Sequence, residues 1–248
     1  MKSLDVNKKV RELLITNRYY VKHNRKREIR YEENYHLTVK DPDGKKRDLR
    51  KERNFKLSQL KYVRDYIKKI KPGSILDVGC GHGWLLSSLS KKWKKNGIEI
   101  SKYAAKNASK FGEIFVGDVK DYKNKKFDII TALHIIEHHP KPIFFLKELK
   151  KRLAKNGVLI LETPNFDSGA ARKYKNNFRL LHDKTHISLF SEDSLIRLVR
   201  FLGFKVFDIN YPFFETPFFT KKNFNVFFSS KKVSPPFYGS VITLFLKK

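Results

Sequence analysis

Apolar residues recur at two different periods along the chain. Over residues 58–70 they fall three and four positions apart, which predicts an amphipathic helix ended by Pro72 and Gly73. From residue 75 onwards, short apolar runs alternate with helical patterns. The predicted strands are 75–78, 96–100, 113–116, 127–132, 157–162, 204–209 and 240–245, and the predicted helices are 84–93, 101–110, 141–154 and 191–202. This alternation indicates an α/β fold, a doubly wound and mostly parallel sheet covered by helices on both faces.

Two stretches interrupt the alternation. A polar loop over residues 164–190 is longer than a connector in a compact domain requires, and we expect it to act as a lid or substrate loop. An aromatic-rich segment runs from Phe213 to Tyr238. Its rings fit either packing near the last strands or an apolar acceptor wall or membrane-facing patch.

Composition bounds the class of protein. The chain has 248 residues, of which 40% are hydrophobic, so it can bury a core and global disorder is excluded. Its single cysteine, Cys80, excludes an internal disulfide and a cysteine-based zinc framework. The first residues lack a signal-peptide pattern and no long apolar run follows, so the expected location is cytoplasmic.

The chain is strongly basic, with 54 Lys and Arg residues against 25 Asp and Glu and a formal charge of +29. Such a charge attracts nucleic acid, anionic lipid or acidic metabolites. Lysines dominate, however, whereas phosphate sites favour arginine, so we interpret most of the excess as background composition. The charge is densest in residues 1–71, where basic runs at 22–27 and 45–47 flank a predicted turn at 41–44 between two short extended pieces. This part is either a solvated face or an anion-facing cap.

The most informative stretch is residues 75–83, which read ILDVGCGHG. Its glycines let the backbone turn sharply after a strand and approach a ligand closely. A dinucleotide fingerprint needs a different glycine spacing, because Trp84 follows Gly83. Asp77 also lies in a buried strand and needs a partner, which favours an amine-bearing or sulfonium ligand over a pyrophosphate. A purely structural tight turn is the alternative.

These residues resemble the first motif of the class I S-adenosylmethionine-dependent methyltransferases. Glu99, the Gly117-Asp118-Val119 run and the stretch from Leu133 to His138 are similar to later motifs of that family, in the same order. The resemblance covers about residues 57–210 and implies a Rossmann-like, seven-stranded sheet whose last strand is antiparallel. Residues 183–191 resemble the subgroup of ubiquinone-pathway and sugar or polysaccharide-cluster methyltransferases.

The resemblance implies a division of the chain and a set of binding residues. Residues 1–56 would be a basic N-terminal extension or cap, and residues 57–248 the methyltransferase domain. Glu99 would meet the ribose hydroxyls of S-adenosylmethionine and Asp118 the adenine amine. The full set of expected cofactor-binding residues is Asp77, Gly79, Cys80, Gly81, Glu99, Ile100, Asp118, Val119 and His134.

Methyl transfer to a hydroxyl is helped by a nearby base, and histidine suits that role near neutral pH. His186 in the long loop and His134 after the fourth strand are the catalytic candidates. In some relatives of the ubiquinone pathway, acidic residues at the position of Glu137 bind a divalent ion. No second carboxylate stands alongside Glu137 in this sequence, so we predict no metal.

The expected function is methylation, at oxygen, of a small-molecule or glycan acceptor that is anionic or lipid-linked, with peripheral membrane contact. An RNA or protein methyltransferase is one alternative, supported by charge. Nucleic acid is less favoured because residues 131–134 read TALH, where many amino-methylating nucleic-acid enzymes carry Asn/Asp-Pro-Pro-Tyr/Phe. A non-catalytic cofactor-binding partner subunit is the other alternative.

Overall fold

The computed structural model describes residues 5–17, 19–22, 38–40, 46–48, 52–123, 125–229 and 232–248. The helices in these ranges are α1 (Val6–Thr16), α2 (Arg53–Gln59), α3 (Lys61–Lys68), α4 (Trp84–Ser88), α5 (Lys102–Ala108), α6 (Pro142–Arg152), α7 (Gly169–Tyr174), α8 (Glu192–Phe201) and α9 (Lys221–Ser229). The strands are β1 (Val21–Lys22), β2 (Thr38–Lys40), β3 (Lys46–Asp48), β4 (Ser74–Val78), β5 (Lys94–Glu99), β6 (Glu113–Val116), β7 (Phe127–Leu133), β8 (Leu153–Pro164), β9 (Ser188–Leu189), β10 (Lys205–Asn210) and β11 (Val241–Lys247). Within the described part of the chain, no helix is both long and apolar enough to cross a bilayer.

The central sheet has seven strands in the order β10-β11-β8-β7-β4-β5-β6. Its strands run parallel except for β11, which is antiparallel to both of its neighbours. The predicted seven-stranded sheet with an antiparallel final strand is therefore confirmed.

Two short pairings lie outside this sheet. β2 pairs with β3 in antiparallel fashion, as the two extended pieces around residues 41–44 predict, and β1 pairs with β9. The turn at 41–44 and most of the basic run at 22–27 lie outside the described residues.

Helices cover both faces of the sheet. Neighbouring strand residues belong to opposite core clusters: Leu76 packs in one with α6 and α8, and Ile75 packs in the other with α3 and α4. Because both faces are buried, the inner strands are apolar at consecutive positions instead of alternating. The doubly wound prediction is thus confirmed by the packing.

Two predicted helices differ in extent from those observed. The helix expected over 58–70 is split at Leu60 into α2 and α3, and α4 ends at Ser88 instead of reaching residue 93. At both breaks, serine hydroxyls donate to carbonyls one turn back: Ser58 to Asn54 (2.9 Å) and Ser88 to Leu85 (2.7 Å). Such bonds compete with the backbone donors that would continue a helix.

A third core cluster joins α1, α7 and α9. Val10 and Leu14 of α1 belong to it together with Tyr174, Phe178 and Phe227. The long loop over 164–190 contains α7 and several 3₁₀ turns, and most of its apolar side chains are buried. These buried rings and the amphipathic α1 hold the segment against the body of the protein. Its role as a lid or substrate loop stays a prediction.

Candidate active site

A crevice is expected where the strand order reverses. The chain passes from β4 outwards through β5 and β6 and then returns to β7 on the other side of β4. In open parallel sheets, ligands bind at the carboxyl ends of the strands at this point. The glycine turn follows β4 there, and His134 follows β7 there.

The glycine turn is tightly packed on one side and open on the other. Gly79 has a φ of +72°, and a Cβ added to it would overlap the side chain of Ile135. Gly81 has a φ of +52°, yet a Cβ on it would meet nothing within 4 Å. The left-handed backbone favours glycine at both positions, and Gly81 in addition borders open space into which a ligand fits.

Glu99 links the glycine turn to the next strand. Its side chain is buried at the end of β5, where Oε2 accepts a hydrogen bond from Gly81 N (2.8 Å) and Oε1 accepts one from Ser101 N (2.9 Å). A carboxylate oxygen can accept two hydrogen bonds, so each oxygen retains capacity for a ligand hydroxyl. The adjacent Ile100 is 48% exposed.

Asp77 is the buried acid of the first motif. Its Oδ1 accepts a hydrogen bond of 2.7 Å from Thr131 Oγ1, its register neighbour on β7. Burial raises the pKa of Asp77 to about 7; the Thr131 hydrogen bond opposes this shift and the charge of Glu99 adds to it. A protein hydroxyl thus supplies one of the partners that the sequence requires.

Cys80, within the turn, is also buried. Burial raises the pKa of its thiol, and the nearby carboxylates of Asp77 and Glu99 raise it further. The neutral thiol acts as a small apolar filler and has no nucleophilic character.

Asp118 and Val119 follow β6 and point to different environments. Asp118 caps a 3₁₀ turn by accepting from Lys120 N (3.0 Å), and its half-exposed carboxylate lies 3.7 Å from His139 Nε2. The interaction with His139 lowers the pKa of Asp118 against the opposing effect of burial. The Val119 side chain packs into the core, so only its backbone can face a ligand.

His134 stands at the tip of β7 between two buried carboxylates. Its Nδ1 lies 3.1 Å from Glu137 Oε1 and its Nε2 lies 3.1 Å from Glu162 Oε1. The backbone is left-handed, with a φ of 57°, and the side chain is 44% exposed. Left-handed backbone at a non-glycine residue costs free energy and is common at functional sites.

The two carboxylates differ in protonation. Burial alone would raise the pKa of Glu137, but the hydrogen bond from His134 and the charges of His134, His138 and His186 bring it down to about 2. For Glu162, burial raises the pKa to about 7 against a hydrogen bond from Thr243 and the charge of Lys56.

Glu162 has further hydroxyl partners. Its Oε2 accepts from the Tyr62 hydroxyl and, at 2.5 Å, from Thr243 Oγ1. These residues come from α3, β8 and β11, and the order of the sheet brings them together. Sequence reasoning missed this group, although an acidic residue inside an apolar strand, the signal that identified Asp77, is also present at Glu162.

His186 lies in the packed segment that precedes β9. It is 6% exposed, its Nδ1 is 2.7 Å from Leu180 O, and its Nε2 is 3.6 Å from Asp183 Oδ2. Burial lowers the pKa of His186, with the charges of Glu137 and Asp183 opposing that shift. The imidazole of this catalytic candidate is thus buried within the segment, and its role as a base stays a prediction.

The segment brings His186 close to residues after β7. One ligand atom each of Glu137, His138 and His186 lie within 4.8 Å of one another, an arrangement that could hold a metal ion. The group contains one carboxylate and two imidazoles, and the 164–190 segment supplies the second imidazole, that of His186. The absence of a metal remains a prediction.

Comparisons with known proteins identify the family of the chain. A family model described as a methyltransferase domain matches residues 45–209. The match covers more than half of the chain, which therefore belongs to this methyltransferase family. The protein is accordingly an enzyme, and S-adenosylmethionine is its cofactor.

Curated relatives differ in their acceptors. The chain is 31% identical over 144 residues to a ubiquinone biosynthesis O-methyltransferase of Pelagibacter ubique (strain HTCC1062), covering 50% of this chain and 59% of the relative. It is 33% identical over 113 residues to a tRNA U34 carboxymethyltransferase of Campylobacter lari, covering 41% of this chain and 38% of the relative. The chain thus spans less than two thirds of the length of either relative.

Solved structures share the fold. A SAM-dependent methyltransferase from Thermotoga maritima, described as a possible histamine N-methyltransferase, matches with a TM-score of 0.59 and 25% identity over 79% of this chain and 91% of that chain. The plantazolicin methyltransferase BpumL in complex with SAH matches with a TM-score of 0.54 and 20% identity over 80% and 86% of the two chains.

Proposed function

We propose that the crevice beside the glycine turn holds S-adenosylmethionine and that the enzyme methylates a hydroxyl of a small-molecule or glycan acceptor. The open space at Gly81, the acceptor capacity of Glu99 and the half-exposed carboxylate of Asp118 fit a nucleoside. Exposed Ile100 fits its apolar base. The backbone of Gly79, Cys80 and Val119 and the carboxylate of Asp77 complete the proposed cofactor site.

When bound, the cofactor supplies a methyl group on a sulfonium, and the protein aligns the acceptor with it. The acceptor hydroxyl must lose a proton as the new bond to oxygen forms. The proton goes to Nε2 of His134, because Nδ1 donates to the ionised Glu137. Glu162, with Oε1 3.1 Å from Nε2 and a pKa of about 7, stabilises the resulting imidazolium when it is ionised. This pair of His134 and Glu162 is the observation that carries the proposal.

The geometry favours His134 over His186 as the group that meets the acceptor. His134 is half-exposed at the carboxyl edge of the sheet, whereas His186 contacts Leu180 and Asp183 within a buried segment. Glu162, almost fully buried, acts through His134 as a positioning residue, and Tyr62 and Thr243 hold its carboxyl group in place.

We propose that the N-terminal extension, residues 1–56, contributes to the acceptor side of this crevice through its described residues 52–56. In support, Phe55 of α2 packs edge-on against Phe218 at 5.6 Å, and the charge of Lys56 acts on Glu162. The basic charge of the extension favours an anionic acceptor, and the relative from the ubiquinone pathway favours a lipid-linked one that is met at a membrane.

A methyl-transfer assay tests the proposed pair. Purified enzyme is incubated with labelled S-adenosylmethionine and a panel of phenolic, carboxylated and sugar acceptors, and the rate is followed against pH. The rate with a productive acceptor should rise through about pH 7 as Glu162 loses its proton. Glu162→Gln should lower that rate by about 10²–10⁴-fold and remove the rise.

Glu113→Gln, which changes an exposed carboxylate on β6, is the matched control and should keep the wild-type rate and profile. A Glu162→Gln enzyme with the wild-type profile would contradict the role of the pair.

RNA is the second acceptor class, and the tRNA-modifying relative is the observation in its favour. It predicts retention of tRNA that weakens steeply as salt is raised, because each phosphate contact releases counterions. Methyl transfer to tRNA, with no transfer to the small-molecule panel, would replace the proposed acceptor class.

A further inference from the structure

The chain segment that connects β10 to β11 forms an aromatic surface. We give this name to five rings, each 44–61% exposed: Phe214, Phe219, Phe224, Phe228 and Tyr238. Single exposed apolar side chains are ordinary in proteins, but a contiguous group of them marks an interaction site.

The five rings are contiguous. The ring centroid of Phe214 lies 5.2 and 5.4 Å from its two exposed neighbours, and that of Phe224 lies 5.0 Å from Phe228. Phe237 joins the two groups, because its centroid is 6.1 Å from that of Phe224 and 5.0 Å from that of Phe213, which contacts Phe214 at 5.3 Å. The exposed rings therefore stand on a shared aromatic base.

Lysines lie beside the aromatic surface. Residues 216–240 contain four lysines and no acidic residue, and Lys221 and Lys222 are exposed on α9. Lys173 of α7 places Nζ 5.5 Å from the ring centroid of Phe228. Glu215, at the start of the segment, accepts a hydrogen bond from Asn210 (3.3 Å). The charge of this face repels a second copy of the +29 chain and attracts a polyanionic surface.

The aromatic surface borders the candidate active site. The segment leaves β10 and enters antiparallel β11 at the carboxyl edge of the parallel strands, the edge that carries the glycine turn and His134. The contact between Phe218 and Phe55 joins it to α2, whose Lys56 acts on Glu162.

We propose that the aromatic surface binds the headgroup region of an anionic lipid bilayer. Aromatic rings suit the boundary between headgroups and acyl chains, and lysines beside them meet lipid phosphates. Docked in this way, the enzyme turns the edge of the sheet that carries its crevice towards the membrane. The proposal concerns a surface separate from the cofactor site and does not depend on the identity of the acceptor.

Co-sedimentation of the full chain with vesicles tests the proposal. Wild-type protein should bind vesicles of phosphatidylcholine containing phosphatidylglycerol more tightly than vesicles of phosphatidylcholine alone, and salt should weaken this binding. The double variant Phe224→Ser, Phe228→Ser should lose at least about ten-fold in partitioning. Phe201→Ser is the control: it removes a ring that is 56% exposed on α8, outside the aromatic surface.

Several outcomes would overturn the proposal. They are equal binding to the two kinds of vesicle, no binding to either, and unchanged partitioning of the double variant. A further one is a dimer of the wild-type protein, seen by sedimentation without lipid, that the double variant converts to monomers, since a second copy would then cover the surface.

Should the double variant fail to fold, the variant Lys221→Gln, Lys222→Gln replaces it in the test and must reduce the preference for anionic vesicles. Titration with S-adenosylhomocysteine, unaffected in all these variants, separates this failure from a failure of the proposed function.

Discussion

Asp77 and Glu162 are two carboxyl groups whose pKa is raised by burial to about 7. Each lies near the carboxyl end of a central strand and is held by a threonine hydroxyl from a neighbouring strand. Above neutral pH both carboxyl groups become buried charges, which lowers the free energy of unfolding relative to a strand with apolar residues at these positions. A cationic ligand over Asp77 and an imidazole beside Glu162 offset that cost, so we infer that these residues are retained for function at the expense of stability.

The pH dependence of stability tests this inference for Asp77. Its pKa is raised from 3.8 to about 7 in the folded protein, so its contribution to stability is fully present below about pH 4 and is lost as the pH rises through about 7. Asp77→Asn keeps an oxygen for Thr131 and removes the titration. The variant should therefore raise the free energy of unfolding of the ligand-free protein at pH 8 by about 2 kcal/mol and weaken binding of S-adenosylmethionine.

Urea denaturation at pH 5 and pH 8 provides the measurement. The wild type should lose stability between these values relative to Asp77→Asn. Parallel pH profiles for the two proteins would show that burial does not perturb this carboxyl group.

Strands β4, β7, β8 and β11 were predictable because each is buried on both faces and contains a continuous apolar run. Helix α1 was not, since its buried apolar face consists of Val10 and Leu14 alone. Helix α9 has a phenylalanine-rich sequence that fits strand, helix or loop equally well. Both helices depend on packing against the 164–190 segment, which is information that no local pattern contains.

The same reasoning explains which part of the site was predictable. The glycine turn and Glu99 lie in local motifs with characteristic spacing. Tyr62 lies 100 residues before Glu162, and Thr243 lies 81 residues after it. The three meet only because β11 lies beside β8 and α3 packs over that edge. Strand order is a property of the whole sheet, so this group emerges only with the structure.

Helix α1 offers a prediction at the scale of the element. Leu14 is 1% exposed in the third core cluster, whereas Leu13 is 41% exposed on the same helix. Leu14→Ala should reduce the free energy of unfolding by about 2–4 kcal/mol, because it leaves a cavity under α7, and Leu13→Ala should change it by less than about 1 kcal/mol. Urea denaturation distinguishes the two. Equal small effects would mean that α1 is not docked as described.

At the scale of the whole molecule, the basic charge and the functional crevice occupy different parts of the protein. The residues of the proposed cofactor site are glycines and carboxylates, whereas lysines lie beside the aromatic surface and are frequent in the sequence of residues 1–56. This separation supports one arrangement: the sheet holds the cofactor, and the aromatic surface with its lysines at the carboxyl edge brings an anionic or lipid-linked acceptor to it.

The central claim is that the glycine turn and Glu99 form the cofactor site, and calorimetric titration with S-adenosylhomocysteine tests it most directly. The wild type should bind one equivalent, and Glu99→Gln, which removes a charged acceptor of ribose hydrogen bonds, should bind about ten- to a hundred-fold more weakly. Glu113→Gln, which alters an exposed carboxylate at the amino end of β6, should bind like the wild type. No binding by the wild type, or equal binding by the wild type and Glu99→Gln, would contradict the account.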